Sequence, residues 1–276
     1  MRRTVAGSAT TELANHKASN DTDGRRRGTE LAPQRGSDPH RTSHREDGGM
    51  IVRMGLLRKL PSLSTTDFRR HWREVHGPLA ARMPGLRAYH QNHIIDKTQL
   101  AIDHARGGWD LDGFSELWFD DAAAMERAIA SEPYQAVVAD SPHCMAATRV
   151  IVADQITVVA PQGRPAIKRM SILQRRDGLS PEDFRREWLE VHAPMVARFP
   201  AIAGYRQNVV TACGPAPGID ADADGGAPDG IVEMWFHTQQ DLVAAFQSPA
   251  AEVSQPHALG FLQSITTFLV DVHEIV

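Results

Sequence analysis

The chain carries the stretch LSTTDFRRHWREVHGPLAARMPGLRAYHQN, Leu63 to Asn92, and repeats it as LSPEDFRREWLEVHAPMVARFPAIAGYRQN, Leu179 to Asn208. The two copies align without a gap at an offset of 116 residues, and 17 of the 30 positions are identical. Similarity of this length at one fixed spacing indicates an internal duplication.

The similarity continues beyond the quoted stretch. FSELWF (Phe114 to Phe119) matches IVEMWF (Ile231 to Phe236) further along each copy, where the offset grows by one residue. The segment between the copies, APQGRPA, holds two prolines and a glycine, which are typical of a linker. We therefore place a boundary near Gly163 and predict two domains, at residues 50–162 and 165–276.

Residues 1–49 have a different composition from the rest of the chain. They are rich in Arg, Asp, Ser, Gly and His and poor in aromatic residues, so they cannot bury enough apolar surface to offset the entropy of ordering. We predict a disordered N-terminal tail. Because Met50 and Met54 stand where the ordered pattern begins, a native start at one of them is a further hypothesis.

Each copy predicts the order strand, helix, strand, strand, helix, strand. Ser64 and Ser180 are predicted N-caps of the first helix. Phe, Trp, Val and His then follow at i, i+4, i+7 and i+8, a spacing that predicts all four on one helix face. These residues are Phe68, Trp72, Val75 and His76 in the first copy and Phe184, Trp188, Val191 and His192 in the second.

This order predicts an α+β fold. Two ferredoxin-like βαββαβ units would each form a four-stranded antiparallel sheet covered by helices on one face only. The other face is bare, so two such units in one chain can bury their bare faces against each other. The expected architecture is an intramolecular dimeric α/β barrel.

Composition narrows the environment and the partners. The formal charge is −4 over 276 residues and the basic residues are dispersed, so neither nucleic acid nor a membrane surface is predicted as a partner. The sequence shows no signal peptide and no apolar run of membrane-spanning length. Its two cysteines, Cys144 and Cys213, form no CxxC or Cys/His cluster. We predict a cytoplasmic protein and leave open whether it associates into homo-oligomers.

In the repeated sequence described above, the chain resembles the EthD family of dimeric α+β barrels. The resemblance covers roughly residues 50 to 276 and implies a ferredoxin-like unit that pairs, here within one chain. It also implies a role near oxidative breakdown of small organic compounds or in polyketide and lactone chemistry. It rests on a motif that occurs twice, as Phe68, Trp72, His76, Pro78, Pro84, Tyr89 and Asn92, and as Phe184, Trp188, His192, Pro194, Pro200, Tyr205 and Asn208.

Two histidines are the first catalytic candidates. His76 and His192 are predicted on the sheet-facing side of the first helix, and a histidine pKa near ~6.5 suits proton transfer. The alternative is a buried neutral imidazole that hydrogen-bonds a backbone carbonyl freed by the following proline. We favour the functional interpretation because the histidine persists in both copies while neighbouring positions differ.

Two carboxylates and two tyrosines complete the catalytic candidates. Glu116 and Glu233 lie between apolar residues in mid-strand, which suits either a general base or a structural partner of an arginine. Tyr89 and Tyr205 would steady a developing oxyanion, although an aromatic anchor under the helix is the more common role. The substrate-binding candidates are aromatic or imidazole side chains: Trp72, Trp188, Trp118, Trp235 and His93.

Several other features have less weight. His143 and His257 follow prolines beyond the second helix, where a surface loop is expected. Asp220, Asp222 and Asp224 begin like an EF-hand loop, but strands flank them, so no metal is predicted. Nucleotide-binding and hydrolase motifs do not occur. We predict no cofactor, with haem as the one that this architecture leaves open.

The copies are not identical, since His90 and His93 of the first become Arg206 and Val209 of the second, and the two pockets are therefore not expected to be equivalent. The leading hypothesis is a cofactor-independent enzyme acting by histidine acid/base chemistry on a small apolar phenol, quinone, lactone or polyketide. In that hypothesis the histidine and glutamate of one copy share a site. The alternatives are an oxygen-dependent oxidoreductase or monooxygenase, and a non-catalytic binding or carrier protein.

Overall fold

The computed structural model describes residues 50–219 and 225–276, and these form a closed eight-stranded antiparallel barrel with helices outside it. The predicted tail at 1–49 and the residues Asp220–Asp224 lie outside the described part. The first copy forms β1 (Ile51–Lys59), α1 (Thr65–His71), α2 (Gly77–Ala80), β2 (Ala88–Asp96), β3 (Gly113–Phe119), α3 (Ala122–Ile129), α4 (Glu132–Asp140) and β4 (Met145–Val159). The second forms β5 (Ile167–Arg175), α5 (Pro181–Arg186), α6 (Ala193–Val196), β6 (Gly204–Pro215), β7 (Gly230–Phe236), α7 (Gln239–Phe246), α8 (Pro249–Phe261) and β8 (Leu262–Glu274).

The barrel order is β1-β3-β2-β8-β5-β7-β6-β4. Each half supplies four neighbouring strands in the ferredoxin-like arrangement, so the predicted α+β class and the paired units within one chain are confirmed. The bare faces meet in the interior, as expected. The sheets also hydrogen-bond edge to edge, β2 to β8 and β4 to β6, which the sequence did not predict. The boundary proposed at Gly163 falls between β4 and β5.

The first helix of each half contains a π-helical turn, at Trp72–His76 and at Glu187–His192. The cause is a side chain inserted into the helical hydrogen-bond ladder: Gln91 Nε2 donates to the Trp72 carbonyl at 2.7 Å. A π-turn contains more residues than an α-turn. Positions i, i+4 and i+8 of the pattern therefore stay on the buried helix face, whereas position i+7 turns away from it. Val75 is consequently 45% exposed, and its prediction on the buried face was wrong.

The second helix of each half is two helices rather than the single one predicted. Asp121 and Ser131 each begin a new helix in the first half by accepting a backbone N–H, and Pro133 follows in the first turn of α4. Thr238 and Ser248 do the same in the second half. Within the described residues, no helix has the length and apolar character needed to cross a membrane.

A buried ion cluster joins the two halves inside the barrel. Lys168 Nζ from β5 lies 2.8 Å from Glu116 Oε2 on β3 and 2.8 Å from Glu233 Oε2 on β7. Asn92 and Asn208 each donate a side-chain N–H to the carboxylate of their own half, at 2.8 Å. The three charged side chains are at most 3% exposed. The cluster therefore pairs one ammonium group with two carboxylates.

The charges of this cluster balance when one carboxyl group holds a proton. Burial and the nearby charge of Glu233 raise the pKa of Glu116 to about 7. Burial opposes ionisation of Glu233 as well, but Lys168, Arg206 and Asn208 together hold its pKa below the ordinary value. The two carboxylates keep the pKa of Lys168 raised although its burial acts in the other direction. Lys168 is thus the counter-ion that offsets the energetic cost of burying both glutamates.

Removing this counter-ion is expected to destabilise the fold strongly. In Lys168→Met two buried carboxyl groups lose their cation, and we expect a loss of about 3 to 5 kcal/mol in the free energy of unfolding. The triple variant that adds Glu116→Gln and Glu233→Gln removes all three charges and should recover most of that loss. Urea denaturation of the three proteins measures it. A triple variant no more stable than Lys168→Met would contradict the proposed charge balance.

Candidate functional site

Each half has a cavity between the outer face of its sheet and its helices. The cavity of the second half has a volume of about 290 Å³, and that of the first half about 60 Å³. Trp188, His192 and Tyr205 line the larger cavity, and Trp72, His76 and Tyr89 line the smaller one. The structure therefore brings the predicted histidine, tyrosine and helix tryptophan of each half together. Of these two cavities, the one in the second half has the space for a small organic molecule.

Local packing fixes the indole and the histidine that border each cavity. Gly113 and Gly230 begin β3 and β7, and a Cβ at either position would overlap the indole of Trp72 or Trp188. The glycine lets the helix approach the sheet closely, and the π-turn then carries the histidine one turn further. This geometry places the His192 side chain at the cavity.

His192 belongs to a polar array on the helices of the second half. Its Nδ1 lies 3.3 Å from Nδ1 of His257 on α8. Nε2 of His257 lies 3.5 Å from Oε2 of Glu187. Burial, followed by the neighbouring His257, lowers the pKa of His192 to about 4. The imidazole at the cavity is therefore neutral at physiological pH.

The first half holds the same positions with different chemistry. Asp140 accepts from His76 Nδ1 at 2.9 Å and from His71 Nε2 at 3.0 Å. Burial works against ionisation of Asp140, but these two histidines hold its pKa below the ordinary value. When the two copies are aligned, His71 corresponds to Glu187 and Asp140 corresponds to His257. The carboxylate has thus changed places with an imidazole between the two halves.

The two halves also differ at one position of the helix that follows. Tyr134 on α4 lines the first cavity, and Arg53 Nη2 donates to its hydroxyl at 2.8 Å. The corresponding residue in the second half is Ala251, because Ser131 and Ser248 begin equivalent helices and the two positions follow them by three residues. Ala251 is fully buried and does not line the larger cavity, so the second half lacks the phenol that the first half carries at this position.

Each cavity is partly walled by the opposite half. Ile102, Asp103 and His104 from the β2–β3 loop of the first half line the second cavity, and this loop is fixed by a hydrogen bond from Ile265 N to the Ala105 carbonyl at 2.9 Å. Ala216 and Pro217 from the second half line the first cavity. A half-chain alone therefore lacks part of its own cavity wall.

The predicted glutamates do not share a site with the predicted histidines. Glu116 and Trp118 point into the barrel, as Glu233 and Trp235 do, whereas the histidines border the outer cavities. Successive strand residues point to opposite faces, and the helices cover only the outer one. The prediction that Glu116 or Glu233 orients His76 or His192 is wrong for this reason, and their partner is a lysine rather than an arginine.

His93 lies in neither cavity. It is stacked on Trp72 with ring centroids 4.6 Å apart, and it contacts His273 on its other side. Burial, with a further contribution from His273, lowers its pKa to about 3. A substrate-binding role for His93 therefore remains a sequence prediction without a cavity beside it in the described structure.

Sequence reasoning missed two residues of these clusters. His257 was assigned to a surface loop but lies within α8 against His192; the offset that aligns it with Asp140 was the available signal. Lys168 was overlooked although it alternates with Met170 and Ile172 on the inner face of β5. A lysine in such an apolar pattern indicates a buried partner of opposite charge.

One group of possible metal ligands occurs among the described residues. Ligand atoms of His71, Asp140 and Cys144 all lie within 4.8 Å of one another. Burial, and then the charge of Asp140, raise the pKa of the Cys144 thiol to about 12, whereas a metal ligand must be a thiolate. Asp140 is already engaged by two histidines. This group therefore does not favour a metal centre.

Two solved structures illustrate the fold. An anthrone oxidase-like protein matches 83% of this chain and 94% of its own, at 12% identity and a TM-score of 0.55. A proposed monooxygenase from Fusobacterium nucleatum matches 82% and 94%, at 6% identity and a TM-score of 0.53. Identities this low show a shared fold only. An EthD family protein from Bacillus halodurans also matches 39% of this chain and 99% of its own, at 18% identity and a TM-score of 0.31.

The family itself is shown at the sequence level. No curated protein matches the chain significantly. The family model of the EthD domain, in contrast, matches twice, at residues 60–147 and 176–264, which together make up more than half of the chain. Both matches contain the helix with its Trp and His, the second strand, and the β3 or β7 strand described above. The chain belongs to the EthD family and carries two EthD domains in tandem.

Proposed function

We propose that the second half is an acid/base site for a small, largely apolar, oxygenated compound such as a phenol, quinone, lactone or polyketide. The compound occupies the cavity of about 290 Å³, and His192 accepts a proton from it. Apolar walls such as Phe199, Val232 and Leu262 suit a ring system. Tyr205 lines the same cavity, and its hydroxyl oxygen accepts from Gln207 Nε2 at 2.7 Å. We propose that its O–H donates to a ligand oxygen.

The observation that carries this proposal is the array from Glu187 through His257 to His192. A carboxylate beside His257 Nε2 favours a proton on that nitrogen, which leaves Nδ1 of His257 as an acceptor. Nδ1 of His192 then donates to it, and Nε2 of His192 keeps a free lone pair. The array therefore selects the tautomer of His192 that can take up a proton.

The first half supports the proposal by contrast. His76 is paired directly with Asp140, but its cavity of about 60 Å³ leaves no room for an organic substrate. Glu116 and Glu233 stabilise the barrel and have no part in the proposed chemistry. Of the two motif histidines, His192 is the one that borders a cavity with space for a ligand.

An oxidoreductase is the second candidate function. An ionised phenol or carbanion is the form of substrate that reacts with dioxygen without a cofactor, so the same base would serve oxygenation. Two proteins of similar fold carry the names anthrone oxidase-like protein and proposed monooxygenase. These names describe those two proteins and not this chain. Oxygen uptake in the presence of anthrone, measured with an electrode, separates oxygenation from isomerisation or cyclisation.

The remaining properties are proposals as well. The chemistry described needs no prosthetic group, and a Soret band in the purified protein would show haem and contradict it. We propose a small molecule as the partner, a cytoplasmic location, and no interaction with nucleic acid or membranes. Association into homo-oligomers is measurable by light scattering.

The role of His192 can be tested by hydrogen exchange. 2-Tetralone is an apolar two-ring ketone with an acidic C–H, and we expect the protein to accelerate deuterium incorporation into it. His192→Gln should slow this exchange by roughly 10²- to 10⁴-fold, because the proton acceptor is lost. Proton NMR measures the exchange, and calorimetry measures whether the ketone still binds.

The matched control is His76→Gln, which changes the same position in the closed half and should leave the exchange rate within twofold. Equal losses in both variants would reject the assignment to the second half. If the wild-type protein binds the ketone but does not accelerate exchange, the binding or carrier alternative is correct.

The pH dependence gives an independent test. His192 accepts a proton only in its neutral form, and its pKa is lowered to about 4. The rate constant kcat/KM for exchange should therefore stay constant from pH 7 down to pH 5 and fall as the pH drops through about 4. Circular dichroism at each pH monitors unfolding. An acidic limb near pH 6.5 would contradict the desolvated environment of His192.

A further inference from the structure

Arg169 is a buried cation without a hydrogen-bond acceptor among the described residues. It lies on the outer face of β5, and the residue is 1% exposed. None of its three guanidinium nitrogens has a partner in the described part of the chain. Its Cζ lies 4.4 Å from the ring centroid of Phe246, a contact with an aromatic face that supplies no oxygen or nitrogen acceptor.

Such a group is unfavourable in a protein interior. An unpaired buried charge is normally compensated by a partner, because it has lost its water. Burial accordingly lowers the pKa of Arg169 to about 9. The side chain is therefore expected to bind an acceptor strongly when one is available.

The first half shows what the acceptor is. Arg53 corresponds to Arg169, since both stand third in equivalent strands and pair with β3 or β7 in the same register. Arg53 Nη2 donates to the hydroxyl of Tyr134 at 2.8 Å, and its Cζ lies 5.4 Å from the centroid of that ring. Ala251 replaces Tyr134 in the second half. Arg169 thus lacks the phenol group with which Arg53 pairs in the first half.

Arg169 stands next to the larger cavity. Ser171 and Leu173, which follow it on the same face of β5, line that cavity. Met234, its partner residue on β7, and Phe246, on which its guanidinium is stacked, line it as well. The unpaired cation therefore flanks the cavity of the second half, although Arg169 does not itself line it.

We propose that the cavity of the second half binds phenols or enols, and that Arg169 donates a hydrogen bond to the ligand oxygen as Arg53 does to Tyr134. The ligand ring occupies the cavity, and the Arg169 side chain, which flanks the cavity, turns toward the ligand oxygen to make this bond. This inference rests on the proposed function and names its substrate class and a specificity-determining residue. It also explains how the site distinguishes an oxygenated ring from a hydrocarbon.

The test uses p-cresol, which is the side chain of tyrosine, and toluene, which lacks only the hydroxyl group. Isothermal titration calorimetry on the full chain should show one binding site for p-cresol and weaker binding of toluene. Arg169→Met should weaken p-cresol binding by roughly 10- to 100-fold, because a hydrogen bond to a charged group is lost. The affinity for toluene should change less than twofold.

Arg53→Met is the matched control in the first half, and it should leave the affinity for p-cresol within twofold. Ala251→Tyr places the phenol of the first half into the second, so it should abolish p-cresol binding and raise the melting temperature. This variant keeps the inference testable if Arg169→Met does not fold. Unchanged p-cresol affinity in either Arg169→Met or Ala251→Tyr would overturn the proposal.

A gain of binding provides the complementary test. Tyr134→Ala empties the equivalent space in the first half and releases Arg53, so p-cresol should bind with two equivalents per chain. One equivalent only would contradict the equivalence of the two arginines. These outcomes are distinct from those of the exchange assay: loss of exchange in His192→Gln concerns the chemistry, whereas p-cresol binding concerns ligand recognition.

Discussion

The structure depends on the hydrogen bonding between the outermost strands of its two halves. Within each half alone, both edge strands would lack a partner on their outer side, and the inner sheet face would have no cover. Pairing β2 with β8 and β4 with β6 removes all four edges at once and encloses both bare faces. The same closure places the loops of one half over the cavity of the other. Fold and site therefore share one origin.

Closure also sorts the polar side chains by strand parity. Residues that point inward meet the opposite half and can pair across the barrel, as Lys168 does with Glu116. Residues that point outward meet the helices of their own half and border a cavity. The helix histidine and the strand glutamate belong to the same copy of the repeat. They nevertheless lie on opposite sides of the sheet.

Duplication within one chain permits asymmetry that a homodimer cannot have. A symmetric dimer would carry either two copies of Lys168 or none, because each substitution is repeated by the symmetry. Here the position equivalent to Lys168 is Val52, and one ammonium group serves both Glu116 and Glu233. The outer sites have diverged in the same way. Tyr134 lines the cavity of the first half, whereas the second half has Ala251 at the corresponding position.

The sequence by itself determined the duplication, the order of elements, the caps at Ser64 and Ser180, and the family. These features are local or periodic, so they can be read without knowing what packs against what. Strand alternation by itself also puts Glu116 and Trp118 on one face, because they are two residues apart in the same strand.

Only the tertiary structure decided which face is the interior, and so which residues meet. Periodicity gives the relative direction of side chains, but the absolute direction depends on where the helices and the other half lie. Lys168 and Glu116, or His192 and His257, are far apart in sequence and become neighbours only when the barrel closes. The lack of a hydrogen-bond acceptor for Arg169 among the described residues likewise became visible only in the structure, because its counterpart Arg53 pairs with Tyr134 from a distant helix.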